Sequence, residues 1–139
     1  MPIRLEKTAA ESMVKQLYRD LFGREPEREV LRGLVTYLGE GRLSARTQLL
    51  RMLKSDEFYD KRLRNKTPEE MARELYRYIL GRPPESAEAL KGAADQLGLL
   101  GWRVQIDVMI NCEEYLGRFG DDNVPTLREH PSHATARLT

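Results

Sequence analysis

One phrase is written twice in this chain, and that constrains its fold more than any other feature. Residues 13–24 read Met-Val-Lys-Gln-Leu-Tyr-Arg-Asp-Leu-Phe-Gly-Arg, and residues 71–82 read Met-Ala-Arg-Glu-Leu-Tyr-Arg-Tyr-Ile-Leu-Gly-Arg. Six of the twelve positions are identical, and a proline follows at the same distance in both, Pro26 and Pro84. Unrelated sequence does not match at that level, so the chain reads as an internal duplication. With one residue inserted, Leu31-Arg32-Gly33 falls on Leu90-Lys91-Gly92 and Leu38-Gly39 on Leu97-Gly98. Each copy closes on an acidic-aromatic phrase, Asp56-Glu57-Phe58-Tyr59 or Glu113-Glu114-Tyr115. The boundaries that follow are about 8–63 for the first copy and 67–120 for the second.

The periodicity inside each copy is helical. Thr8 with Glu11 three residues on predicts a capping box, followed by Met13, Val14, Leu17, Leu21 and Phe22 at helical spacing and a stop at Gly23. The second copy has Thr67 as N-cap, Pro68 at the first helical position, Glu70 completing the box and Gly81 ending the helix. Second helices are expected over about 27–38 and 85–97, and third helices over about 44–54 and 102–111. Alanines at 89, 93 and 94 allow a closer helix approach in the second copy. No segment alternates as a half-buried strand must, so the expected fold is all-α: a six-helix domain of two three-helix units. Units of this size bury little alone, and their helices are marginal in water, so the copies should pack into one body.

That body is expected to span residues 1–125. Beyond it, Gly120-Asp121-Asp122-Asn123-Val124-Pro125 is turn chemistry, and the remaining segment to residue 139 has no periodicity, which reads as a flexible tail.

The bulk composition excludes several functions. With 40% hydrophobic and 32% charged residues the chain is neither disordered nor membrane-spanning, and no run approaches a bilayer's length. A cytoplasmic address follows, and the lone Cys112, read as a small buried hydrophobe, makes no internal disulfide. Net charge is +1, far from the basic excess that nucleic-acid binding leaves in a sequence. His130 and His133 lack two further ligands at supporting spacing, and Cys112 lacks an activating histidine in the folded part of the chain. Neither a metal, a cofactor nor catalysis is expected.

What remains is docking. Arg19 and Arg77 occupy equal positions in the two copies, as do Arg24 and Arg82. Two readings stay open for them: pairing with the acidic phrase that ends each copy, or gripping an acidic partner.

The phrases taken together resemble a known family, the phycobilisome linker domain. Leu75-Tyr76-Arg77-Tyr78-Ile79-Leu80-Gly81-Arg82-Pro83-Pro84 is similar to its helix and Leu-Gly-Arg-x-Pro turn. Gln105-Ile106-Asp107 through Glu113-Glu114-Tyr115 to Phe119-Gly120-Asp121-Asp122-Asn123-Val124-Pro125 is similar to its closing signature, the most specific motif here. Lys54-Ser55-Asp56-Glu57-Phe58-Tyr59 is similar to its mid-domain phrase. The resemblance covers about residues 13–125 and implies a helical domain that seats against phycobiliprotein rings without catalysis or a chromophore of its own. It also implies an address peripheral to the thylakoid through the phycobilisome. On it, Phe119, Asp121 and Asp122 join the four arginines as partner-contact candidates, and Phe119 to Pro125 are expected to close the fold. The alternative is a general bacterial helical interaction module that docks elsewhere or self-associates, which the phrase Leu17-Tyr18-Arg19-Asp20-Leu21-Phe22-Gly23-Arg24-Glu25-Pro26 also resembles.

Overall fold

The computed structural model describes residues 6–126, and the expected tail from residue 127, with both histidines, lies outside them. Within the described residues the chain is all-helical, without a strand. Eight helices run in order: α1 (Lys7–Leu17), α2 (Arg28–Gly39), α3 (Ala45–Leu53), α4 (Asp56–Phe58), α5 (Pro68–Leu75), α6 (Ala87–Leu100), α7 (Trp102–Ile110) and α8 (Glu113–Arg118). Wider π-helical turns extend α1, α4 and α5 through Tyr18–Phe22, Tyr59–Leu63 and Tyr76–Leu80.

The expectation of six helices is thereby corrected to eight among the described residues. The acidic-aromatic phrases are helices in their own right, started by Ser55 and Cys112, whose side chains accept from the amides of Phe58 and Tyr115. Cys112 is half-buried rather than buried, because an N-cap side chain must turn toward the helix end it satisfies.

Local chemistry explains most boundaries. Thr67 accepts from the Glu70 amide and Glu70 accepts from the Thr67 amide, which is the full capping box, with Pro68 opening α5. Thr8 makes no such box: α1 begins two residues earlier than the pattern implied, at Lys7, after Glu6, which caps nothing with its side chain. Gly23 and Gly81 both sit at φ +68, where a Cβ is strained, and both end their helices. The loop expected from Gly98 shrinks to Gly101 alone, since α6 runs through Gly98 to Leu100.

α1 packs on α2 and α5 on α6 as helical hairpins, and the two hairpins are joined through α3 and α7. Arg46 on α3 donates from Nη1 to Asn111 just past α7 (2.5 Å), while Arg103 on α7 donates from Nε to the carbonyl of Lys54 just past α3 (3.1 Å). Each helix therefore meets the other's far end, and the pair is antiparallel. Leu49, Leu53, Ile106 and Ile110 on this pair are all fully buried. Gln48 and Gln105 are the buried polar side chains among the described residues. Phe58 meets Tyr78 edge-on at 5.4 Å, and Tyr59 stacks on Trp102 at 5.2 Å, so aromatic contacts also cross between the halves. One continuous core results.

Candidate functional site

The matched arginines resolve into two kinds. Arg24 follows the left-handed Gly23 and turns back across the end of its helix. It donates from Nε to Glu57 Oε2 and from Nη2 to Glu57 Oε1, both at 2.8 Å. Its guanidinium lies over the Tyr18 ring at 5.1 Å. Arg82 repeats the arrangement after Gly81, donating to Glu114 at 2.8 and 2.6 Å over the Tyr76 ring at 5.3 Å. Two parallel bonds from a planar fork fix orientation as well as charge.

A second cation completes each cluster one turn beyond the glutamate. Lys61 donates to Glu57 and to the Phe22 carbonyl, both at 2.8 Å, and Arg118 donates to Glu114 (3.0 Å) and to the Leu80 carbonyl (2.7 Å). The unsatisfied carbonyl end of the first helix is thus tied to the following short helix in both halves. We term this cluster of glycine, arginine, glutamate and cation a latch. The Arg24 guanidinium holds the Glu57 carboxyl down to about 2, against the partial burial that opposes it, with Lys61 adding to the effect. Arg82, then Arg118, lower Glu114 in the same way. Burial pushes the Tyr18 and Tyr76 phenols up, with the arginine beside each opposing it.

Arg19 and Arg77 point outward. Arg19 reaches Glu25 at 3.2 Å between two exposed side chains, an arrangement worth little. Arg77 is exposed, lies over the Tyr78 ring at 5.3 Å, and enters no ion pair among the described residues.

The closing phrase binds the end of the second half to the start of α3. Phe119 is half-buried against Tyr115 at 5.0 Å, and its carbonyl accepts from the Asn123 amide. Asp121 takes Arg46 Nε on its carboxylate at 2.8 Å and the Arg46 amide on its carbonyl at 3.1 Å. Tyr115, fully buried, donates its hydroxyl to the Asn123 carbonyl at 3.4 Å, and burial raises its phenol further. Asp122 is half-buried and in no ion pair among the described residues.

Sequence reasoning missed Lys61 and Arg118, whose role depends on a carbonyl 39 or 38 residues away. It also missed an open groove of about 670 Å³ between α1 and α2, floored by Leu31 and Val35. No set of three or more His, Cys, Asp or Glu residues among the described residues is placed to hold a metal, and no helix there is long and apolar enough to cross a membrane.

Comparison with known proteins adds context to this geometry. Residues 5–128 match the family described as Phycobilisome Linker polypeptide. The phycoerythrin-associated rod linker polypeptide of 31.8 kDa from Microchaete diplosiphon is 30% identical over 128 residues, which are 90% of this chain and 44% of the relative. The phycobiliprotein ApcE of a Synechococcus species is 31% identical over 83% of this chain and 17% of its own length. The Photosystem I-associated linker protein CpcL of a Nostoc species is 27% identical over 91% of this chain and 56% of its own. The chain thus spans well under two thirds of each of these relatives.

Proposed function

The chain belongs to the phycobilisome linker polypeptide family, and from that premise we propose that it is a non-catalytic assembly piece that docks onto phycobiliprotein. The observation that carries this reading is the match over residues 5–128, which takes in both latches and the closing phrase. A docking piece gains from a body that does not rearrange on binding, because ordering costs are then met before the encounter. Two bidentate latches and the α3–α7 crossing supply such a body.

On this reading the whole described chain works as one domain to about residue 125, made of two copies of a four-helix unit rather than three. The matched latches at Arg24–Glu57 and Arg82–Glu114 support that duplication. Arg24 and Arg82 hold the frame, which leaves Arg77, Asp122 and Arg19, the last held only by an exposed pair with Glu25, as the candidates to meet a partner. Phe119 and Asp121 act by seating the closing phrase. The protein resides with the phycobilisome, held by protein contacts.

The test is to mix the purified chain with phycobiliprotein hexamers at moderate salt and record pigment emission and co-elution. A shifted emission maximum with co-elution is the expected result. A well-folded chain that elutes apart and leaves emission unchanged sinks the reading.

A further inference from the structure

The groove between α1 and α2 carries charge that the rest of the fold does not use. Its floor is Leu31 and Val35, and Lys7, Arg28 and Arg32 stand on its rim with exposed side chains. None of these three cations enters an ion pair among the described residues. The two acids on the same rim are already engaged: Glu11 with Lys15 at 3.2 Å and Glu40 with Arg42 at 3.4 Å. Arg28 is also the first residue of α2, and Lys7 the first of α1, where the helix dipole disfavours a cation and favours an anion beside it. The groove therefore presents an apolar floor beneath a rim on which three cations stand against two acids, each acid with a cation partner off the rim.

The corresponding face of the second half lacks this character. Ala87 stands where Arg28 does, and Lys91, at the position of Arg32, pairs with Asp95 at 3.9 Å. Nothing about hairpin packing requires the basic rim, since α5 and α6 pack without it.

We propose that the α1–α2 groove is a docking site for an acidic amphipathic helix of a partner protein, its apolar side chains on Leu31 and Val35 and its carboxylates against Lys7, Arg28 and Arg32. From Arg28 to Gly39 the groove runs about 17 Å at the rise of an α-helix, room for about three turns. Arg28 and Arg32 are one turn apart, so glutamates one turn apart on the partner meet both. A helix laid in such a groove is a common mode of peptide recognition. The proposal deepens the docking reading, needing a protein partner but not a pigment protein.

Its test uses a fluorescein-labelled helical peptide of about twelve residues, with leucines at every third or fourth position and glutamates flanking them, followed by anisotropy. The protein should bind it, more weakly as salt rises from about 0.05 to 0.3 M, and bind the same peptide with glutamine for glutamate about tenfold less tightly. R28E/R32E should lose at least about tenfold, Arg32→Gln a smaller part in the same direction, and Lys91→Glu nothing. All three positions are exposed, and circular dichroism checks that each variant keeps its helix content. Equal binding of both peptides overturns the proposal, as does unchanged binding by R28E/R32E or an equal loss in Lys91→Glu. Because no pigment protein is present, failure here strikes the groove alone. Failure of the emission shift, with peptide binding intact, strikes the light-harvesting reading alone.

Discussion

The first and second halves of the molecule share their fastenings and differ in what they show to solvent. At the end of the first helix in each half stand a left-handed glycine, an arginine over a tyrosine, a bidentate glutamate and a second cation on the helix's last carbonyl. The outer faces have diverged. The first half has the basic rim over an open groove, with only Val35 and Leu38 of α2 buried; the second buries Leu90, Ala93, Ala94 and Leu97 of α6. The second half instead exposes Leu99 (84%), Leu100, Val104 and Val108, where the first has Glu40, Gly41, Thr47 and Arg51. The fastenings that match, Arg24–Glu57 and Arg82–Glu114, hold the frame, while the outer faces of α2 and α6 differ in charge and burial.

The heaviest blow to this comparison comes from the short helices. Phe58 and Tyr115 are the largest fully buried side chains and anchor α4 and α8 at matched positions. Phe58→Ala and Tyr115→Ala should each cost about 3–5 kcal/mol in urea unfolding. Tyr115→Ala should in addition raise hydrogen exchange at Asn123 and the Arg46 amide, because the closing phrase rests on that ring. A cost below about 1 kcal/mol for either would show that its helix is not part of the core.

The latches should respond next, and alike. Glu57→Gln and Glu114→Gln should each cost about 1–2 kcal/mol, the part-exposed setting holding the value down. The Glu57 carboxyl titrates at about 2 when folded against an ordinary 4.5, so its contribution is fully present above about pH 4.5 and is lost as pH falls toward 2. Glu114 is shifted in the same direction. Stability of the parent should therefore fall steeply through that window, and the double variant E57Q/E114Q should fall less. Identical acid profiles would remove the latches from the account.

The smallest expected difference is at the helix starts. Thr67→Ala should cost about 0.5–1.5 kcal/mol and Thr8→Ala less than about 0.5, since of these two threonines Thr67 is the one that caps its helix. Equal effects would mean that the first half uses a box as well.

These contrasts show what was legible beforehand. The long helices were, because caps such as Thr67-Pro68 and glycine stops such as Gly81 act through neighbours in sequence. The start of α1 was not: Thr8 and Glu11 have the spacing of a box, but the chain stays helical back to Lys7 and leaves Thr8 inside the helix. α4 and α8 escaped because three or six residues hold too little periodicity to register, and their N-caps are the better signal. For Arg24 and Arg82 both partner chemistries were visible, yet Glu57 and Glu114 lie 33 and 32 residues away, so only the fold could bring them together. The basic groove needs Lys7 beside Arg28 and Arg32, a juxtaposition made by hairpin packing and by no local pattern.

The claim that carries the rest is that this fastened body docks onto pigment protein. Sedimentation velocity of the chain mixed with phycobiliprotein hexamers, followed at a pigment wavelength and in the far ultraviolet, tests it most directly. The prediction is one faster boundary seen at both wavelengths, displaced from that of the hexamer alone. Two independent boundaries, each unchanged from the separate components, would contradict it.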